Sequence, residues 1–120
     1  MDVETLMEHC AALPGAWPDH PWEHEHPVLK VGPAERGKIF AFCREDTLGV
    51  KCGDRDEADE WLQRHPGDAT VMKYIGRSGW NDLRLHGNIP DEELLEALLE
   101  SYARVVEKLP KRLRPSGWED

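Results

Sequence analysis

Of the six histidines, three fall within His20-Pro21-Trp22-Glu23-His24-Glu25-His26-Pro27. Alternate side chains of an extended strand project to one side, so His24 and His26 share a face and His20 could fold back to join them. Three imidazoles suit a borderline metal with one coordination position left open. No H-E-x-x-H or C-x-x-C pattern accompanies them, and nothing fixes His20. The segment therefore reads as a wet, polar edge, with His20, His24 and His26 as a candidate metal set and no cofactor expected.

Other reactive residues form no catalytic pattern. Ser78, Ser101 and Ser116 lack a G-x-S-x-G elbow, and Ser101 falls mid-helix, where its hydroxyl is expected to bond the carbonyl one turn back. Gly76, Gly79 and Gly87 match no phosphate-binding loop. Carboxylates mostly begin helices or line solvated faces, and no pair is pinned in an apolar setting that would raise a pKa. Cys10, Cys43 and Cys52 are odd in number and lack C-x-x-C spacing, which reads as three reduced, mostly buried thiols. The expectation is a protein that is not an enzyme.

Charge sets the terms for any nucleic-acid partner. A net charge of −9 repels phosphate at long range, so DNA binding must rest on a local patch. Two regions qualify. Residues 104–114 hold Arg104, Lys108, Lys111, Arg112 and Arg114 against Glu107 alone, a balance of +4 that leaves −13 elsewhere. These cations can contact phosphates, and they equally complement the negative end of a helix dipole. The second region is a sheet face on which Phe40, Phe42 and Trp80 lie among Arg44, Lys51 and Arg84. Rings beside cations stack bases and hold phosphates; the same face could instead be covered by a loop, a protein partner or a second copy of the chain.

The elements that position these residues follow from periodicity. Val3, Leu6, Met7, Cys10 and Leu13 recur at helical spacing, and Pro14-Gly15 supplies the stop. Residues 15–27 read as a loop with one short extended piece at Trp22 to His26, followed by a strand candidate at Val28 to Val31. Lys38 to Arg44 and Thr47 to Cys52 flank Glu45-Asp46 as a hairpin. Pairing Cys43 with Leu48, Ala41 with Val50 and Ile39 with Cys52 makes one face wholly apolar and leaves Phe40, Phe42, Arg44, Gly49 and Lys51 on the other. Asp54 and Glu57 form a capping box that opens a second helix carrying Ala58, Trp61 and Leu62, with Trp61 expected to be largely buried, and His65-Pro66-Gly67 ends it. Residues 68–79 remain open between short strand and loop. Trp80 to Leu85 alternates as a strand, with Leu83 and Leu85 facing inward. Pro90-Asp91-Glu92-Glu93 opens the last helix, whose stripe is Leu95, Leu98, Leu99, Tyr102, Val105, Val106 and Leu109. The expected fold is a two-layer α+β domain: an antiparallel sheet with helices on one face, in the order helix, three strands, helix, two strands, helix.

The 120 residues suit one domain, read as 1–114 with a tail at 115–120. Hydrophobic residues make up 39% and tryptophan occurs five times, enough apolar area for a core. No apolar run approaches the roughly 18 residues of a membrane helix, and the start Met-Asp-Val-Glu-Thr lacks the basic and apolar regions of a signal peptide, so a cytoplasmic protein is expected.

Gly37-Lys38-Ile39-Phe40-Ala41-Phe42, Leu48-Gly49-Val50-Lys51, Gly79-Trp80-Asn81-Asp82-Leu83 and the helix ending Ser101-Tyr102 through Leu109-Pro110-Lys111-Arg112 resemble the MmcQ/YjbR group of small bacterial proteins, across roughly residues 4–114. The resemblance implies a two-layer α+β fold and a DNA-binding role by a double-wing shape. The hairpin Lys38 to Cys52 and the strand Trp80 to Leu85 would be the wings. Phe40, Lys51, Trp80, Ser101, Tyr102 and Pro110 are similar to family members. The combined expectation is weak or sequence-independent DNA binding through Phe40, Phe42, Trp80, Lys51, Arg84, Lys108, Lys111, Arg112 and Arg114. The alternative is a protein-interaction module or homodimer that uses the aromatic face.

Overall fold

Asp2 starts the first helix, its carboxylate accepting the Thr5 amide at 2.8 Å. The helix, α1 (Val3–Ala11), buries Val3, Leu6 and Cys10, the stripe that the spacing predicts. This is a computed structural model, and it describes residues 1–21 and 26–119. After α1 come β1 (Ala16–Asp19), β2 (Val28–Val31), β3 (Lys38–Cys43), β4 (Thr47–Lys51), α2 (Arg55–Arg64), β5 (Ala69–Val71), β6 (Trp80–Arg84) and α3 (Asp91–Lys108), with short 3-10 turns at Gly76–Ser78 and Lys111–Leu113. The six strands form one antiparallel sheet in the order β1-β2-β3-β4-β6-β5, and the helices pack on one face of it. This is the expected α+β architecture, with four strands rather than three before α2. Among the described residues no helix is long and apolar enough to cross a membrane.

The additional strand is β1, in a stretch whose prolines predict a loop. Pro18 suits a sheet edge, where no ladder donor is required of it. Trp17 Nε1 donates to the Gly32 carbonyl at 2.8 Å, and Lys30 reaches Asp19 at 2.7 Å. The extended piece expected at Trp22 to His26 falls mainly on residues 22–25, outside the described residues.

The hairpin pairs Cys43 with Leu48 and Ala41 with Val50, as the apolar pattern requires, and all four side chains are buried. The pattern fails at Phe40. Along β2, Leu29 faces Ala41 and the next residue, Lys30, faces Ile39, so Phe40 is the extra residue of a β-bulge. A bulge resets the alternation of faces. Phe40 is accordingly turned inward and fully buried, edge-on to Tyr102 with ring centroids 5.3 Å apart. This corrects its expected place on the outer face.

Ser101 closes the ladder where the bulge interrupts it. Its hydroxyl donates to the Phe40 carbonyl at 2.7 Å and accepts the Lys51 amide at 3.0 Å. The expected bond to the preceding turn of the helix gives way to these two strand groups, which would otherwise be stranded in the core. Burying Ser101 also rotates α3: Leu94 and Ala97 face inward, while Leu99 is half exposed and Leu95 half-buried. Tyr102 donates to the Pro14 carbonyl at 2.5 Å, tying α3 to the end of α1.

Trp61 is half-buried rather than largely buried, with the Arg64 guanidinium 4.5 Å from its ring centroid. All three cysteines are free and buried. Cys10 and Cys43 lie with sulfurs 3.9 Å apart, and contact with Cys43 together with burial pushes the Cys10 thiol up. Burial pushes Cys52 up to about 11. These are unreactive thiols.

Candidate functional site

The outer face of the sheet brings Phe42, on β3, against Trp80, on β6, with ring centroids 5.7 Å apart at 83°. Edge-to-face packing is the preferred arrangement of two such rings. Gly49 lies between them in the sheet, opposite Phe42 on one side and Asp82 on the other. A Cβ at Gly49 would collide with the end of the Met72 side chain, so this glycine leaves Met72 room to seat on the sheet.

Charge on this face is layered. Arg44 spans from the Phe42 ring, 5.6 Å from its centroid, to Asp82 at 3.0 Å. Arg84 lies 4.0 Å from Asp68. In both pairs the cation is the outer partner: Arg44 and Arg84 side chains are 48% and 60% exposed, against 23% and 13% for Asp82 and Asp68. A molecule approaching the face meets the guanidinium groups first.

Beside this face runs a groove of about 630 Å³, lined by Phe42, Arg44, Met72, Lys73, Tyr74 and Ile75 among others. Clefts holding small ligands span roughly 300–1,000 Å³. The segment that walls it, which the sequence leaves open between strand and loop, is β5 followed by an irregular turn. Arg55 fastens that turn to α2, donating to the Gly76 carbonyl at 2.6 Å and to Asn81 Oδ1 at 2.8 Å. Asn81, fully buried, donates in turn to the Ala58 carbonyl at 2.9 Å. Gly79 closes the turn at φ 96°, where a Cβ would strike the Gly53 carbonyl. Val71, Tyr74 and Ile75 are exposed along it.

The other predicted residues separate into different places. Lys51, expected on the same face as Phe42, stands opposite Trp80 in the sheet and turns its ammonium to the Ser78 carbonyl. It lines a cleft of about 290 Å³ with Arg104 and Lys108. Burial, then the charges of Lys108 and Arg104, hold Lys51 below the ordinary lysine pKa.

The basic exit of α3 is partly occupied. Arg104 is paired with Glu100 at 2.8 Å and Glu57 at 3.0 Å. Arg114 donates to the carbonyls of Leu109 at 3.1 Å and Glu107 at 2.9 Å, capping the helix end. It also lies over Trp118, which packs against the core from the segment read as a tail. Lys108, Lys111 and Arg112 remain exposed. His20 and His26 are exposed, and His24 lies outside the described residues. Among the described residues no group of three or more His, Cys, Asp or Glu is placed to hold a metal.

Lys73, Tyr74 and Ile75 are the site residues that sequence reasoning missed. Three residues of strand followed by a turn give too short a run for any period to declare itself. The available signal was composition: a large aromatic and a β-branched residue beside Gly76, in a stretch with no helical stripe to bury them.

The architecture is that of a two-layer α+β domain with an open outer sheet face. The YjbR family model matches residues 11–104, and the chain belongs to that family. It is 24% identical over 116 residues to the uncharacterised protein YjbR of Escherichia coli K12, covering 95% of each chain. The crystal structure of a Deinococcus radiodurans protein with a DUF419 domain superposes with a TM-score of 0.83 at 28% identity, over 94% of this chain and 85% of that one. A Pseudomonas syringae protein shares the fold at a TM-score of 0.70 and 13% identity, over 88% of this chain and 99% of the other.

Proposed function

We propose that this YjbR-family domain is a non-enzymatic cytoplasmic protein that binds DNA weakly and without sequence preference across the outer face of its sheet. The observation that carries this reading is the layering of charge at Arg44–Asp82 and Arg84–Asp68, with the cations outermost, around the Phe42–Trp80 ring pair. Phosphates then meet guanidinium groups while rings meet bases, the combination that non-specific binders use. The exposed Lys108, Lys111 and Arg112 provide a second surface that attracts phosphate uniformly.

One observation favours a second reading. Val71, Tyr74 and Ile75 expose apolar surface side by side, as a protein interface or a self-association site would. Salt separates the two, because phosphate contacts release counterions and an apolar interface need not.

The test is fluorescence anisotropy of labelled DNA of several sequences, beginning near 50 mM salt, where an overall acidic protein binds best. Log affinity should fall linearly with log salt and hardly vary with sequence. Lys111→Ala with Arg112→Ala should flatten the slope by up to about two phosphate contacts without changing base preference. No binding at tens of micromolar protein overturns the DNA reading, and a dimer in sedimentation would then support the second.

A further inference from the structure

Tyr74 is the most anomalous residue of the molecule. Its φ is 71°, the one positive value among the described non-glycine residues. The Ile75 amide donates across it to the Lys73 carbonyl at 2.8 Å, so Tyr74 is the centre of a γ-turn of the strained hand. Glycine would occupy this position without steric cost. A bulky aromatic takes the strain and gains no packing in return, because the residue is 98% exposed. Strain kept at a residue that contributes nothing to the core points to a role outside the fold.

The ring is nonetheless carried on a firm base. Arg55 and Asn81 tie the turn to α2, and Met72 is buried against the sheet immediately before it. Lys73 precedes Tyr74 in the turn, and Arg44 lines the same groove. A phosphate chain entering the groove would meet the cations Arg44 and Lys73 beside the exposed Tyr74 ring.

We propose that Tyr74 is a stacking platform for an unpaired base, so that the outer face prefers single-stranded to duplex DNA. This rests on the DNA-binding reading above. The preference follows from geometry: bases inside a duplex are stacked on both faces, whereas a base in a single strand can lay one face on an exposed ring.

The experiment compares anisotropy titrations of oligothymidylate and of a duplex of equal length near 50 mM salt, for the wild-type chain and for Tyr74→Ala, Tyr74→Trp and Tyr74→Gly. Wild type should bind the single strand more tightly. Tyr74→Ala should weaken single-strand binding on the order of tenfold, the scale of stacking one base on one ring, and leave duplex binding nearly unchanged. Tyr74→Trp should keep the affinity. Tyr74→Gly should lose it while melting at or above the wild-type temperature, because glycine relieves the strained φ.

If wild type binds DNA and Tyr74→Ala binds the single strand equally well, the proposal fails and the DNA reading stands. A melting temperature several degrees lower for Tyr74→Gly would show a structural ring and also overturn it. Failure of wild type to bind either form removes both.

Discussion

The two faces of the sheet handle their polar groups and aromatic rings in opposite ways. Toward the helices, Phe40 is sealed against Tyr102, Ser101 answers both strand groups left by the bulge, and Asn81 is held by Arg55 and Ala58. Toward solvent, Phe42 and Trp80 are half-buried, arginines stand above their acids, and Tyr74 keeps a strained backbone with its ring in water. One face is organised for stability, and the other is the surface proposed above to meet DNA. Phe40 and Phe42, two residues apart in β3, lie on either side of that division.

The largest expected effect comes from breaking that pair. Phe40→Ala should destabilise the fold by roughly 3–5 kcal/mol in chemical denaturation, and Phe42→Ala by about 1 kcal/mol. Equal costs would erase the distinction between the faces. Ser101→Ala should cost about 1–3 kcal/mol, since it leaves a buried carbonyl and a partly buried amide unanswered.

On the outer face the effect moves from stability to binding. Trp80→Ala and Phe42→Ala should each weaken single-stranded DNA binding by about 1–3 kcal/mol for every base deprived of its ring, with duplex binding affected less. Anisotropy titrations of the two DNA forms measure both.

The smallest effect concerns the rim of the helix layer. Hydrogen bonds from Thr5, its side chain first and then its amide, hold the Asp2 carboxyl below the ordinary value of 3.8. A depressed carboxyl pKa contributes stability above the unfolded value and loses it as the pH falls through the folded one. Thermal melts below about pH 3.8 should therefore fall less steeply for Asp2→Asn than for wild type.

Much of this division was legible in the sequence. Hairpin register followed from the alternation of Ala41, Cys43, Leu48 and Val50, since a one-residue slip would bury Lys51. The stop after α1 and the capping box of α2 follow from residues with a local mechanism, and Leu83 and Leu85 face inward as their alternation requires. The misassigned positions are those where a non-local interaction decides. Phe40 changes face because β2 and β3 pair out of step, and the inward face of α3 includes a serine because that bulge needs its hydroxyl. Lys51 stands opposite Trp80 in the sheet, yet its ammonium turns away because the Ser78 carbonyl, at the end of a distant 3-10 turn, takes it. The groove was invisible for a further reason. Its wall is a three-residue strand and a turn held by Arg55 from another element, and no periodicity encodes that arrangement.

The most direct measurement of whether the outer face is the functional one is a backbone amide NMR titration with a short single-stranded oligonucleotide at low salt. If it is, shifts concentrate at Phe42, Arg44, Trp80 and residues 71–75, with lesser, salt-sensitive shifts at Lys108, Lys111 and Arg112. Shifts confined to the α3 exit, or none anywhere on the outer face, would contradict it.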